Sequence, residues 1–166
     1  MARLLIGTSG WTYSSWSGAF YPEDLPSRQY LEFYAKGFGT TEVNYSFYHL
    51  PRPSTYKRWV SQVSDDFVFA LKASRFITHV KRLVDVEEAW ETFVRNARSL
   101  GSHLGPVLLQ FPPSFHYDRR RVADFLKVAQ PPASTPHRLR LVFEFRHESW
   151  FIEEIYALLR GHNAAL

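Results

Sequence analysis

A chain of 166 residues carrying a formal net charge of +4 can bury one good core and is read as one domain over 1–166. The absence of cysteine excludes a disulfide framework and a thiolate metal site, which favours a cytoplasmic home. No apolar run reaches the length of a membrane span or a leader's core, Met1 to Ile6 included, and the basic balance favours anionic partners such as phosphorylated compounds or nucleic acid.

The first strand is predicted over Leu4 to Trp11. It runs into a turn at Ser9, Gly10 and Trp11, where glycine lets backbone amides approach a ligand. Trp11, Tyr13, Trp16, Phe20 and Tyr21 follow as a dense aromatic group, suited either to stacking on a sugar ring or base or to packing over one end of the fold. Ser27 is placed to cap a first helix whose apolar positions include Tyr30, Leu31, Phe33 and Tyr34, with Gly37 or Gly39 as its stop.

The second strand is predicted over Thr41 to Tyr48, with Val43, Tyr45 and Phe47 on one face and Glu42, Asn44 and Ser46 on the other. Pro53 opens a helix striped by Tyr56, Trp59, Val60 and Val63. The third strand, Phe67 to Lys72, again has a large apolar face (Phe67, Phe69, Leu71) and a small one ending in charge (Val68, Ala70, Lys72). A loop with Thr78, His79, Lys81 and Arg82 comes next. Asp85 and Glu88 have the spacing of a capping box for a helix whose stripe is Ala89, Trp90, Phe93, Val94, Ala97 and Leu100, stopped by Gly101.

Pro106 to Phe111 is the fourth predicted strand. Asp118 caps a fourth helix, in which Arg119, Arg120 and Arg121 make a solvated face. The fifth strand, Leu139 to His147, sets Leu141, Phe143 and Phe145 against Val142, Glu144 and Arg146. Ser149 is placed to cap the last helix, which closes at Gly161, and Ala164, Ala165 and Leu166 begin a further strand.

Alternating strands and helices with crossovers of this length imply parallel strands and right-handed connections. An open sheet covered by helices on both sides would make both strand faces apolar. Here one face turns polar toward the carboxyl ends, as inside a barrel. The expected fold is therefore α/β, a parallel (β/α) TIM-barrel-like arrangement truncated after about five of the eight units a barrel needs. Such a piece would expose sheet edges and could form oligomers through them.

The polar faces collect Glu42, Asn44, Lys72, Gln110, Glu144 and Arg146 near strand carboxyl ends, where barrel enzymes place their chemistry. Two carboxylates among fixed cations can divide acid and base roles, so Glu42 and Glu144, with Lys72 and His147, are the candidate catalytic groups. Ser9, Trp11, Asn44, His79, Gln110, Arg146 and Trp150 are the candidate substrate-binding residues. An internal ion-pair network, with Glu144 on Arg146 and Glu42 on Lys72, is the purely structural explanation of the same residues. No spacing supports a metal, so none is assigned. A divalent ion stays open only if Glu42, Glu144, His79 and His147 meet in space.

Gly7-Thr-Ser-Gly-Trp11 with Phe20-Tyr-Pro22, Glu42-Val-Asn44 with Phe47-Tyr48, and Lys72-Ala-Ser74 with Ile77-Thr-His79 and Lys81-Arg-Leu83 resemble the YecE-like family, domain of unknown function seventy-two. Leu104-Gly-Pro106, Gln110-Phe-Pro-Pro113, Glu144-Phe-Arg-His147 and Ser149-Trp150 continue the resemblance to the chain's end. It implies a TIM-barrel-like fold similar to the xylose isomerase type of sugar isomerase, covers about the first two-thirds of the usual family domain, and carries no established reaction. The resulting expectation is an enzyme, isomerase-like or hydrolase-like, acting on a small hydroxylated or anionic compound (sugar-like or phosphorylated) by carboxylate-mediated proton transfer. The rival is a noncatalytic nucleic-acid or protein-binding module that uses the basic charge and exposed aromatics.

Overall fold

The computed structural model describes residues 4–129 and 138–166. Met1, Ala2 and Arg3, part of the amino-terminal stretch considered above, lie outside the described residues. Strands β1 (Gly7–Thr8), β2 (Thr40–Val43), β3 (Val68–Lys72), β4 (Leu104–Gln110) and β5 (Leu141–Glu144) form one sheet in the order β1-β2-β3-β4-β5, with every pairing parallel. Helices α1 (Tyr30–Gly37), α2 (Tyr45–Tyr48), α3 (Pro53–Val60), α4 (Glu87–Ala97), α5 (Arg119–Ala129) and α6 (Glu153–Gly161) lie between and after them. This is the α/β architecture that the alternation of elements predicts.

The two faces of the sheet have different fates. Val43, Phe69, Leu71, Val107, Leu109, Leu141 and Phe143 are buried in one core with Leu31, Tyr56, Trp59, Trp90, Phe93, Phe125 and Ile155 from the helices. On the other face Glu42, Val68, Ala70, Lys72, Leu108, Val142 and Glu144 are only partly covered. Helices on one side and a small or polar opposite side are the arrangement of a sheet curling into a barrel, with the second face turned to the lumen. Beyond α6 the chain returns to the sheet: Ala165 bridges Val142 in parallel, with Ala165 N–H to Leu141 O at 2.9 Å and Phe143 N–H to Ala165 O at 2.9 Å. Of Ala164 to Leu166, where a further strand is expected to begin, only Ala165 makes this isolated bridge.

Buried polar groups tie the layers. The Tyr34 hydroxyl, carried by α1, accepts from Thr8 N–H at 2.8 Å and from Thr8 Oγ1 at 2.9 Å, and donates to Thr40 O at 3.0 Å, which fixes β1 beside β2. Buried His103 reaches Phe67 O with Nδ1 at 2.9 Å, ahead of β3.

Several local expectations are corrected. The second strand stops at Val43, because Tyr45–Tyr48 coil into α2 and Ser46 turns inward to donate to Val43 O at 2.9 Å and Lys72 O at 2.6 Å. The alternation of Tyr45 and Phe47 with Asn44 and Ser46 is therefore not a strand pattern. The first strand shortens to two residues and the fifth ends at Glu144. Asp85 does not cap α4: Arg82, Leu83 and Asp85 all adopt positive φ (48°, 68° and 50°), and Val86 occupies the cap position without a side-chain bond. Ser27 and Ser149 fall within short 3₁₀ turns ahead of their helices. Asp118 does cap α5, accepting from Arg121 N–H at 3.2 Å. Among the described residues no helix is long and apolar enough to cross a membrane.

Candidate functional site

Register decides which side chains share the lumen. Parallel partners lie on the same face, and the pairs Glu42 with Ala70, Lys72 with Leu108 and Gln110 with Glu144 carry one row across the sheet. Both glutamates, Lys72 and Gln110 therefore project to the lumen side, at or near the carboxyl ends of their strands.

Two groups stand at this mouth. In the first, Ser9 Oγ donates to Glu42 Oε1 at 3.1 Å and accepts from Asn44 Nδ2 at 2.5 Å, joining the ends of β1 and β2. In the second, Gln110 Nε2 lies 2.8 Å from both oxygens of Glu144, and Arg146 Nε lies 2.9 Å from Oε1. Burial works to raise the Glu144 pKa. The hydrogen bonds from Gln110 and Arg146, with the charges of Arg146 and Lys72, outweigh it and hold the carboxyl below its ordinary range. Glu144 is consequently an ionised, oriented carboxylate at neutral pH. Its ion pair with Arg146 is the one expected from sequence; Glu42 instead takes its hydrogen bond from Ser9.

Lys72 extends its ammonium to 5.0 Å from the centre of the Phe47 ring, and the His79 ring meets the same phenyl edge-on at 5.0 Å. His79 sits in the π-helical turn Phe76–Val80 after β3, with Nδ1 held 2.9 Å from Thr78 Oγ1. Burial, followed by the charges of Arg75, Lys72, Arg146 and Arg82, keeps its imidazole below the usual titration range. The cations Arg75, Lys72, Arg146 and Arg82 thus lie near enough to act on this ring. Sequence reading missed Phe47, which it treated as a strand residue, and Arg75. The α2 coil brings Phe47 to Lys72, and no local pattern announces that contact.

His147 lies just beyond the second group. Its Nδ1 accepts from Ser149 N–H at 3.2 Å and stands 2.8 Å from Ser149 Oγ, while its ring stacks on His116 at 3.9 Å. Two of the candidate binding residues belong elsewhere. Trp150 is wholly buried, stacked on Phe145 at 4.1 Å with its indole N–H on Phe115 O at 2.6 Å, so it is core and cannot touch a ligand in the lumen. Trp11 turns to the helix side, edge-on to Trp59 at 5.4 Å, with its carbonyl accepting from Tyr21 Oη at 2.6 Å. The Trp16, Phe20 and Tyr21 rings pack on one another and on α1. Among the described residues no three carboxylate or imidazole groups gather closely enough to hold one metal ion, so Glu42, Glu144, His79 and His147 do not converge on a common point.

The family model described as "Protein of unknown function DUF72" matches residues 5–166. Among curated relatives, the chain is 30% identical to the UPF0759 protein YecE of Escherichia coli (strain K12), over 95% of this chain and 54% of that protein. It is 28% identical to the UPF0759 protein YunF of Bacillus subtilis (strain 168), over 92% of this chain and 54% of that protein. The chain thus spans about half the length of the curated relatives it matches. A crystal structure of a DUF72 family protein from Thermotoga maritima MSB8 superposes with a TM-score of 0.78 at 34% identity, covering 96% of this chain and 62% of that one. A DUF72 family protein from Enterococcus faecalis V583 shares the fold with a TM-score of 0.65 at 21% identity, covering 80% of this chain and 55% of that one. This chain belongs to the DUF72 family, the YecE-like proteins.

Proposed function

We propose that the protein is a cytoplasmic barrel enzyme that acts on a small, hydroxylated and anionic compound by carboxylate-mediated proton transfer, in the manner of a sugar isomerase. The observation that carries this reading is the fixed Glu144 carboxylate, held by Gln110 at 2.8 Å and Arg146 at 2.9 Å on the lumen side of the sheet. Gln110 and Arg146 keep this carboxylate both ionised and aimed, the two conditions that a general base must meet. Glu144 takes that role. Lys72 and Arg146 hold the anionic group or the developing oxyanion, and neutral His79 exchanges a proton or donates a hydrogen bond beside them. Across the mouth, Ser9 and Asn44 order a substrate hydroxyl against Glu42, the second carboxylate.

The test begins with thermal-shift screening against sugar phosphates, hydroxy acids and their neutral parents, followed by turnover assays on whatever stabilises the protein. Glu144→Gln should then lower turnover by about 10²–10⁴-fold, the usual contribution of one acid-base group, with little change in melting temperature. Unchanged turnover removes Glu144 from the chemistry. Binding of nucleic acid that collapses with added salt and survives loss of both glutamates would replace the enzyme reading with a binding module.

A further inference from the structure

A groove of about 620 Å³ lies on the other side of the β1 and β2 ends, within the size range of small-molecule sites. It is not the lumen. Its floor includes Val43 and Trp59, which face the helices, and its walls are the loop after β1, the start of α1 and one side of α3. The α3 wall arises from spacing: Thr55, Arg58 and Trp59 recur at helical intervals on one side, and Gln62, in the turn after the helix, continues the wall.

The charged side chains of this groove are all basic. Arg28 and Arg58 both line it, no aspartate or glutamate does, and neither guanidinium has an ion pair among the described residues. Elsewhere the surface arginines Arg119, Arg121 and Arg146 are each 2.9 Å from a carboxylate. Two arginines without a carboxylate partner at the rim of a concavity suit an oxyanion, which guanidinium groups can grip with paired hydrogen bonds. Four aromatic residues, Trp11, Tyr13, Tyr45 and Trp59, share the lining, and Trp11 and Tyr45, itself 51% exposed, both meet Trp59 edge-on, at 5.4 and 6.4 Å. A flat, electron-poor or apolar ring can lie there at little entropic cost.

From these observations we infer that the groove is a binding site for a phosphorylated compound bearing a planar ring, the chemical class of a nucleoside monophosphate. Arg28 and Arg58 take the phosphate, with Thr55 as an added donor, and the ring rests on Trp11 and Tyr45. Ser9 and Asn44 border both this groove and the lumen, so an occupant here ends next to Glu42 without contacting Glu144.

Calorimetric titration of the full chain with AMP and with phenyl phosphate tests the assignment. Saturable binding that depends on Arg28 and Arg58 is expected, much weaker for adenosine. Arg28→Ala and Arg58→Ala should each weaken it about tenfold or more, the consequence of losing a charge-assisted hydrogen bond. Arg58→Lys, which keeps the charge without the fork, should fall between, and guards against an effect on folding. Glu144→Gln should bind both probes as the parent does, so a failed lumen chemistry and a failed groove are told apart. Absence of binding by both probes, affinity indifferent to both arginines, or loss of binding in Glu144→Gln would overturn the inference.

Discussion

His79 reports on its surroundings more directly than any other side chain at the mouth. Burial and the nearby cations Arg75, Lys72, Arg146 and Arg82 lower its pKa from 6.5, so the folded protein resists protonating it. The unfolded chain binds that proton more readily. The associated stability is therefore complete above about pH 6.5 and is lost as pH falls through the depressed folded-state value. A bound oxyanion reverses the balance, because it neutralises the same cations. Inorganic phosphate should raise the midpoint of the His79 ring signal in a proton NMR titration; a midpoint indifferent to phosphate would rule out an anion seat between Lys72 and Arg146. Gln110 makes a second residue-level point. Only 9% exposed, it spends its amide on both Glu144 oxygens, so Gln110→Leu should free that carboxylate to move and raise its pKa.

Among the elements, the β3–β4 pair carries a tight constraint. Its register passes from Phe69 opposite Leu104 to Leu71 opposite Val107, so β4 accommodates one extra residue, and Gly105 sits at that bulge. A Cβ on Gly105 would meet Phe69 O and Val68 Cγ1, both at 2.6 Å. Gly105→Ala should cost about 1–3 kcal/mol in chemical denaturation, as overpacking does elsewhere; an unchanged midpoint would mean that the bulge relaxes freely. This constraint was not legible from residue types, since a glycine ahead of Pro106 reads equally well as a turn. What could be read was alternation. Phe69 and Leu71 against Ala70 and Lys72, and Phe143 against Glu144, are local patterns that the sheet preserves because each strand has one oily side. The pattern misled after Val43, where Tyr45 and Phe47 have strand-like spacing but coil into α2. There the buried Ser46 hydrogen bonds outweigh strand propensity, and one of them, to Lys72 O, reaches a residue far away in sequence. The Asp85 cap failed for a comparable reason: left-handed residues set the turn, and a spacing rule does not register them.

At the scale of the whole molecule, the lumen side of the sheet remains partly open. Val68, Ala70, Leu108 and Val142 are incompletely covered, and β1 pairs on one side only among the described residues. Apolar surface of this kind beside an unpaired strand favours self-association. We propose that the chain on its own forms concentration-dependent oligomers and binds an apolar dye. Sedimentation showing a monomer at every concentration, with no dye fluorescence, would oppose this.

The pairing of Gln110 with Glu144 has a consequence for how the chain finds its fold. A slip of one residue along β4 or β5 would rotate a carboxylate or an amide into the aromatic layer under the helices and push Phe143 or Leu109 outward. Misaligned sheets are thereby penalised twice. The residues assigned here to chemistry also proofread the assembly of the scaffold that presents them, and exchanging them for greasy ones would blur that alignment even if the core gained surface.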